Sequence, residues 1–103
     1  MAQRPQAVAT VMVDEPFARV TEWRFAPDAE TGWHTHAHDY VVVPLLDGAL
    51  LLEEPGGVAR TVPMRAHAPY ARQAGVEHNV VNALGHEYAF LEVEVLRGPH
   101  PAQ

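Results

Sequence analysis

The stretch of residues 31–48, TGWHTHAHDYVVVPLLDG, constrains this chain more than any other. It sets His34, His36, His38 and Tyr40 at steps of two and then runs straight into an apolar segment. Period two is the repeat of a β-strand, so the spacing predicts a strand with all four side chains on one face. A further histidine, His78, lies in GVEHNVVN between Gly75 and Asn82, at the spacing a metal-binding barrel needs. Neutral imidazole is the commonest metal ligand in proteins, and two from one strand and one from another can meet at a point. The competing reading of such a face is a polar barrel mouth that hydrogen-bonds a ligand without metal.

What is missing narrows the chemistry further. The 103 residues include no Cys, no Lys and no Ser, which excludes thiol and serine nucleophiles, Schiff-base lysines, Walker-type phosphate lysines, disulfides and zinc–thiolate sites. Any chemistry must come from His, carboxylates, Tyr or Arg, with or without a metal. A net charge of −6 and seven scattered arginines give nothing that would neutralise phosphates in number, so neither a nucleic acid nor an anionic membrane is an expected partner. The apolar run AVATVMV is short and soon interrupted by Asp14 and Glu15, unlike a signal sequence, and the expected location is cytoplasmic.

Read in order, the chain predicts short strands separated by turn signals every 8–12 residues or so, and no helix. MAQRPQ reads as a frayed start, AVATVMV as a strand ended by DEP, and residues 17–25 as a strand with Arg19, Thr21, Trp23 and Phe25 on one side. APDAETG is a loop leading to the histidine strand. In YVVVPLL, Pro44 suggests an edge or bulge, and Asp47-Gly48 predicts a hairpin into ALLLEE. PGG at 55–57 turns the chain into VARTVPM, a loop-rich connection follows, and EHNVVNA and HEYAFLEVEVL complete the set. In the last run, Ala89, Leu91, Val93 and Val95 share one face, while Tyr88, Phe90, Glu92 and Glu94 share the other. The expected architecture is all-β, an antiparallel sandwich or barrel forming one domain. Residues 1–15 serve as an N-terminal arm and first strand, 16–97 as the barrel and 98–103 as a tail.

On these motifs the chain resembles the cupins, specifically the small single-domain kind. The first cupin motif has two histidines one residue apart, then a glutamate and a closing glycine, and His34, His36 and Gly48 match it. The second has a glycine, a proline-x-glycine, a histidine three residues later and an asparagine four beyond that, and Gly75, His78 and Asn82 match it. The likeness covers residues 19–95, and the phrases VTEWRF, ETGWH, DYVVVPL, LLEEPGG and GVEHNV are similar to small cupins assigned to beta-alanine degradation. Four family positions differ. Tyr40 stands in the glutamate slot, Asp28 and His67 stand where glycines open the motifs, and Gln73 replaces the proline. Asp and His are among the few non-glycine residues enriched at positive φ, so Asp28 and His67 are expected to keep the turns.

The resemblance implies a jelly-roll β-barrel in which His34, His36 and His78 hold a divalent transition metal, one of Zn, Fe, Ni, Mn or Cu. It further implies a small polar or carboxylate-bearing metabolite as ligand, in catabolism of the beta-alanine type. His38 lies about 13 Å from His34 along an extended strand and is read as a rim residue or one that supports the ligands. The candidate catalytic residues are Tyr40 and Arg72. Tyr40 would act as a phenolate ligand or a hydrogen-bond donor, or merely fill the barrel; Arg72 would clamp a substrate carboxylate, or pair with a surface glutamate. Glu77 and Asn82 are expected to hydrogen-bond the other ring nitrogen of His78. His67, His86 and His100 are read as incidental, and Trp23, Trp33 and Phe25 as core or dimer surface. Whether the barrel is an enzyme of the dioxygenase, isomerase or lyase kind, or a non-catalytic binding or regulatory module without metal, stays open, with a purely structural dimer module as a third reading. A homodimer is expected, with the N-terminal strand crossing to the partner.

Overall fold

The structure is a computed structural model that describes residues 3–96; the tail 98–103, with His100, lies outside the described residues. Nine strands form two sheets. They are β1 (Val8–Glu15), β2 (Ala18–Phe25), β3 (His34–Thr35), β4 (Tyr40–Pro44), β5 (Gly48–Glu54), β6 (Val58–Met64), β7 (Tyr70–Arg72), β8 (Glu77–Val81) and β9 (Tyr88–Val95). One sheet has the order β1-β2-β9-β4-β7 and the other β3-β8-β5-β6, and every pairing of strands is antiparallel. Apart from a single 3-10 turn at Pro55–Gly57, no helix occurs among the described residues, and none is long and apolar enough to cross a membrane.

Alternation places the core. Tyr40, Val42 and Pro44 of β4, Leu50 and Leu52 of β5, and Tyr88 and Phe90 of β9 are buried, while their neighbours in sequence, apart from the small buried Ala89, are partly or fully exposed. Phe25, Met64 and Val80 join them, so inward side chains of both sheets make one cluster between the layers. On β9 the inward face is the one carrying two glutamates. Tyr88 and Phe90 draw that face inside, and Glu92 follows them at the same pleat.

The hairpin predicted at Asp47-Gly48 does not form, because β4 and β5 belong to different sheets. The segment carries the chain from one layer to the other. Gly48 lies so close to the Tyr88 ring that a Cβ would come within 3.0 Å of Tyr88 Cε1 and 2.9 Å of Leu84 Cδ1. Tyr88 Oη donates to the Leu46 carbonyl at 2.8 Å, and Asp47 Oδ1 accepts from the Ala66 amide at 2.8 Å. Dipeptide chemistry was a sound sign of a turn, but strand partners are chosen by burial across the layers. Pro44 is the last residue of β4, two beyond Val42, where pairing with β7 stops.

The start is not frayed at residues 4–7. Arg4 pairs with Glu30 at 3.2 Å and Glu53 at 3.0 Å, Gln6 forms a bridge to Glu30, and Ala7 is buried. The turn residues Asp28 and His67 have φ of 68° and 62°, the left-handed conformation expected of them.

Candidate metal centre

His34 and His78 face each other as register partners on β3 and β8. β3 is only two residues long, so the continuous four-residue histidine face does not form. After Thr35 the chain bends. The His36 amide donates to the Val76 carbonyl at 2.8 Å, the Gly75 amide donates to the His36 carbonyl at 2.8 Å, and Asp39 Oδ1 accepts from the Ala74 amide at 2.9 Å. These bonds to the 74–76 turn, where Gly75 has φ 98°, peel residues 36–39 out of the sheet that holds β3 before Tyr40 starts β4 in the other. His36 and Tyr40 still meet, their rings stacked with centroids 3.8 Å apart and 14° between planes. His38 is left half-buried at the outer mouth, beside Arg19 and Glu94.

The three remaining histidines converge. His36 Nε2 stands 3.1 Å from His34 Nε2 and 3.1 Å from His78 Nε2. His34 Nδ1 lies 2.8 Å from the Gly32 carbonyl, which assigns its proton to Nδ1 and leaves Nε2 a bare lone pair. Burial and the neighbouring His34 and Arg72 push His36 down to about 4. Burial with His34, His36 and Arg72 pushes His78 down to about 3. His36 and His78 are therefore neutral at physiological pH. Whichever way the protons of neutral His36 and His78 are placed, one of the two 3.1 Å contacts is left without a hydrogen bond. A cation at the meeting point accepts all three lone pairs and removes the conflict. Two nitrogens about 2.1 Å from an ion and roughly at right angles stand about 3.0 Å apart, which fits the observed spacing. Among the described residues, His34, His36 and His78 form the one group of His, Asp or Glu donors gathered closely enough to hold an ion.

The cluster opens on a narrow cavity of about 20 Å³, walled by apolar residues such as Val42, Leu52 and Phe90. Of the polar side chains that share that lining besides the histidines, three bear on what it could hold. Tyr40 is 3% exposed, its hydroxyl has no hydrogen-bond partner, and burial pushes it up to about 12, so it is a neutral phenol and not a phenolate. Arg72 lines the same space and has no carboxylate within ion-pair distance among the described residues. Glu92, from the inward face of β9, is the third.

No family model matches the sequence. Over 95 residues, 92% of this chain and 99% of the relative, the sequence is 62% identical to a beta-alanine degradation protein, BauB, of Pseudomonas aeruginosa. The crystal structure of a cupin domain from Bordetella pertussis Tohama I, 48% identical, superposes with a TM-score of 0.89 over 92% of this chain and 98% of that one. The chain belongs to the cupins. A double-stranded β-helix domain from Klebsiella pneumoniae, 17% identical with a TM-score of 0.73 over 92% of this chain and 81% of its own, shares the fold.

Around the histidines of this cupin lies a support that the sequence alone did not reveal. The Gly32 amide donates to Asn79 Oδ1 at 2.9 Å, and Asn79 Nδ2 donates to Glu30 and Glu53, both at 2.9 Å. Arg4 closes the set by pairing with the same two glutamates. Gly32, whose carbonyl orients His34, is thus held through its amide by a chain of polar contacts reaching the N-terminal segment. The expected help from Glu77 and Asn82 is not found: Glu77 is exposed, and His78 Nδ1 has no partner. Asn82, fully buried, instead ties the corner together, donating to the carbonyls of Phe25, Ala26 and His86 and accepting from the Leu84 amide. His86 and Trp33 are exposed, and Phe25 and Trp23 pack in the interior cluster.

Glu92 is the functional candidate missed in the sequence. Burial and the neighbouring Glu94 raise it to about 7, against a hydrogen bond from Trp23. A carboxyl raised above its unfolded value of 4.5 stabilises the fold fully below that value, and the contribution is lost as pH rises through about 7. Glu92→Gln is therefore expected to gain stability over the wild type progressively between about pH 5 and about pH 7 and to hold that gain above, in urea unfolding with chelator present. A difference independent of pH would contradict the placement of Glu92 in the cavity.

Proposed function

We propose that this cupin binds a divalent transition metal ion through the Nε2 atoms of His34, His36 and His78 and holds a small carboxylate-bearing metabolite beside it. The observation that carries the reading is the convergence of three imidazole nitrogens on a walled cavity, with His36 Nε2 at 3.1 Å from each of the other two. Among Zn, Fe, Ni, Mn and Cu, all but Mn, which prefers oxygen donors, suit an all-imidazole set. Such an ion supplies Lewis-acid or oxygen-binding chemistry when bound. The chain's own residues supply the rest. The Arg72 guanidinium offers a two-pronged clamp for a carboxylate, the Tyr40 hydroxyl donates a hydrogen bond, and the apolar walls exclude water. The name of the Pseudomonas aeruginosa relative supports a setting in amino-acid catabolism of the beta-alanine type, which takes the protein to be cytoplasmic.

A second reading, a binding or regulatory cupin without metal, is favoured by one observation: Tyr40 occupies the glutamate slot as a neutral phenol, so no anionic ligand completes the set. Elemental analysis of protein purified without a histidine tag separates the two. About one equivalent of a transition metal, lost in His78→Ala and His36→Ala, is the expected outcome, and less than about a tenth of an equivalent would favour the second reading.

The partner proposed is a second copy of this chain, engaged through β1. All eight residues of β1 are exposed, it pairs only with β2, and Val8, Val11, Met12, Val13 and nearby Phe17 are large apolar side chains open to water. The molecule is 52 Å long against 29 and 21 Å across, and β1 lies at the outer edge of its sheet. An uncovered edge with apolar residues on both faces is what strand addition between like chains buries. Light scattering at micromolar protein is expected to give the dimer mass, and Val11→Lys together with Val13→Lys the monomer mass. A monomer in the wild type would contradict it.

A further inference from the structure

A guanidinium and a carboxyl line this cavity, and neither has an ion-pair partner among the described residues. Arg4, Arg19, Arg24 and Arg60 each pair with a carboxylate; exposed Arg65 and the cavity-lining Arg72 do not. Glu94 pairs with Arg19 at 3.5 Å, yet Glu92, two residues earlier on the same face, has no cation within ion-pair distance among the described residues. Unpaired charges on a partly dry wall are costly, and they persist where something else completes them.

The strand register says where they stand. Arg72 on β7 is the partner of Tyr40, and Glu92 on β9 is the partner of Val42, so the two charges flank β4 from opposite sides. Tyr40 and Val42 are buried on the inward face, and antiparallel partners share a face, so Arg72 and Glu92 both present to the cavity. Adjacent strands are about 4.8 Å apart, which sets the two backbones roughly 10 Å apart across β4 before the side chains lean in. Between them stands the unpartnered, buried hydroxyl of Tyr40, which feels the charge of both. Glu92 is outside the group of donors that converges with the histidines, so the cluster does not account for it.

Resting on the function proposed above, we infer that the ligand of this cavity is a short-chain amino acid bound as a zwitterion, its carboxylate on Arg72 and its ammonium on Glu92, with the Tyr40 hydroxyl between the two. A plain carboxylate leaves Glu92 unmatched, and a plain amine leaves Arg72 unmatched.

The test is calorimetric titration of the full chain, as purified with its metal, against glycine, beta-alanine and 4-aminobutanoate, each beside the carboxylic acid of the same length without the amine and the amine without the acid. At least one amino acid is expected to bind about tenfold or more tightly than both its singly charged counterparts. Arg72→Gln should weaken that amino acid and its matched carboxylate alike. Glu92→Gln should weaken the amino acid about tenfold more than the matched carboxylate, a difference that mere loss of packing would not produce. Equal binding of carboxylate and amino acid would overturn the zwitterion and leave the carboxylate-metabolite reading standing. Absence of binding by any carboxylate would overturn both.

Discussion

Three imidazole nitrogens, two of them on rings that burial keeps neutral, are held in contact between two sheets, and the structure around them follows from keeping them there. His34 Nδ1 donates to a backbone carbonyl, burial and mutual repulsion deny His36 and His78 a second proton, and the three Nε2 atoms are left facing one point. An arrangement of lone pairs this close is unfavourable by itself and becomes favourable with a cation at its centre. The same nitrogens would protonate or swing apart if the chain around them were free to relax.

It is not free. His34 is fixed on β3 opposite His78 on β8, His36 is bound by its own amide and carbonyl to the 75–76 turn, and Tyr40 stacks on the His36 ring from the other sheet. The Gly32 carbonyl also accepts from Thr31 Oγ1, and the Gly32 amide is held by Asn79, which two glutamates and Arg4 hold in turn. The centre therefore draws on both sheets and on the N-terminal segment. The cavity beside it carries charges of both signs on the two strands flanking β4, which gives a ligand direction as well as place.

The barrel and the histidine triad were legible in the sequence because both are written in local code: period-two alternation, turn residues and the spacing of His34, His36 and His78. The positive φ of Asp28 and His67 was legible for the same reason, since few side chains tolerate that conformation. What the sequence concealed depends on which strand lies beside which. Asp47-Gly48 looks like a hairpin until β5 pairs with β8 rather than β4. The four-residue histidine face looks continuous until the Asp39 side chain and the 74–76 turn pull the chain aside. Alternation alone leaves open which face of the last strand turns inward; Tyr88 and Phe90 decide it and carry Glu92 with them. Asn79, next to the metal-ligand candidate His78, reveals its role only through partners 26 and 49 residues away.

The central claim is that His34, His36 and His78 act together as ligands to one ion. X-ray absorption at the metal edge, on protein loaded with one equivalent of zinc, tests it most directly. The account predicts about three imidazole nitrogens at roughly 2.1 Å, with the outer-shell scattering of the rings. A shell of oxygen atoms alone, or a spectrum left unchanged when His36 and His78 are both replaced by alanine, would contradict it.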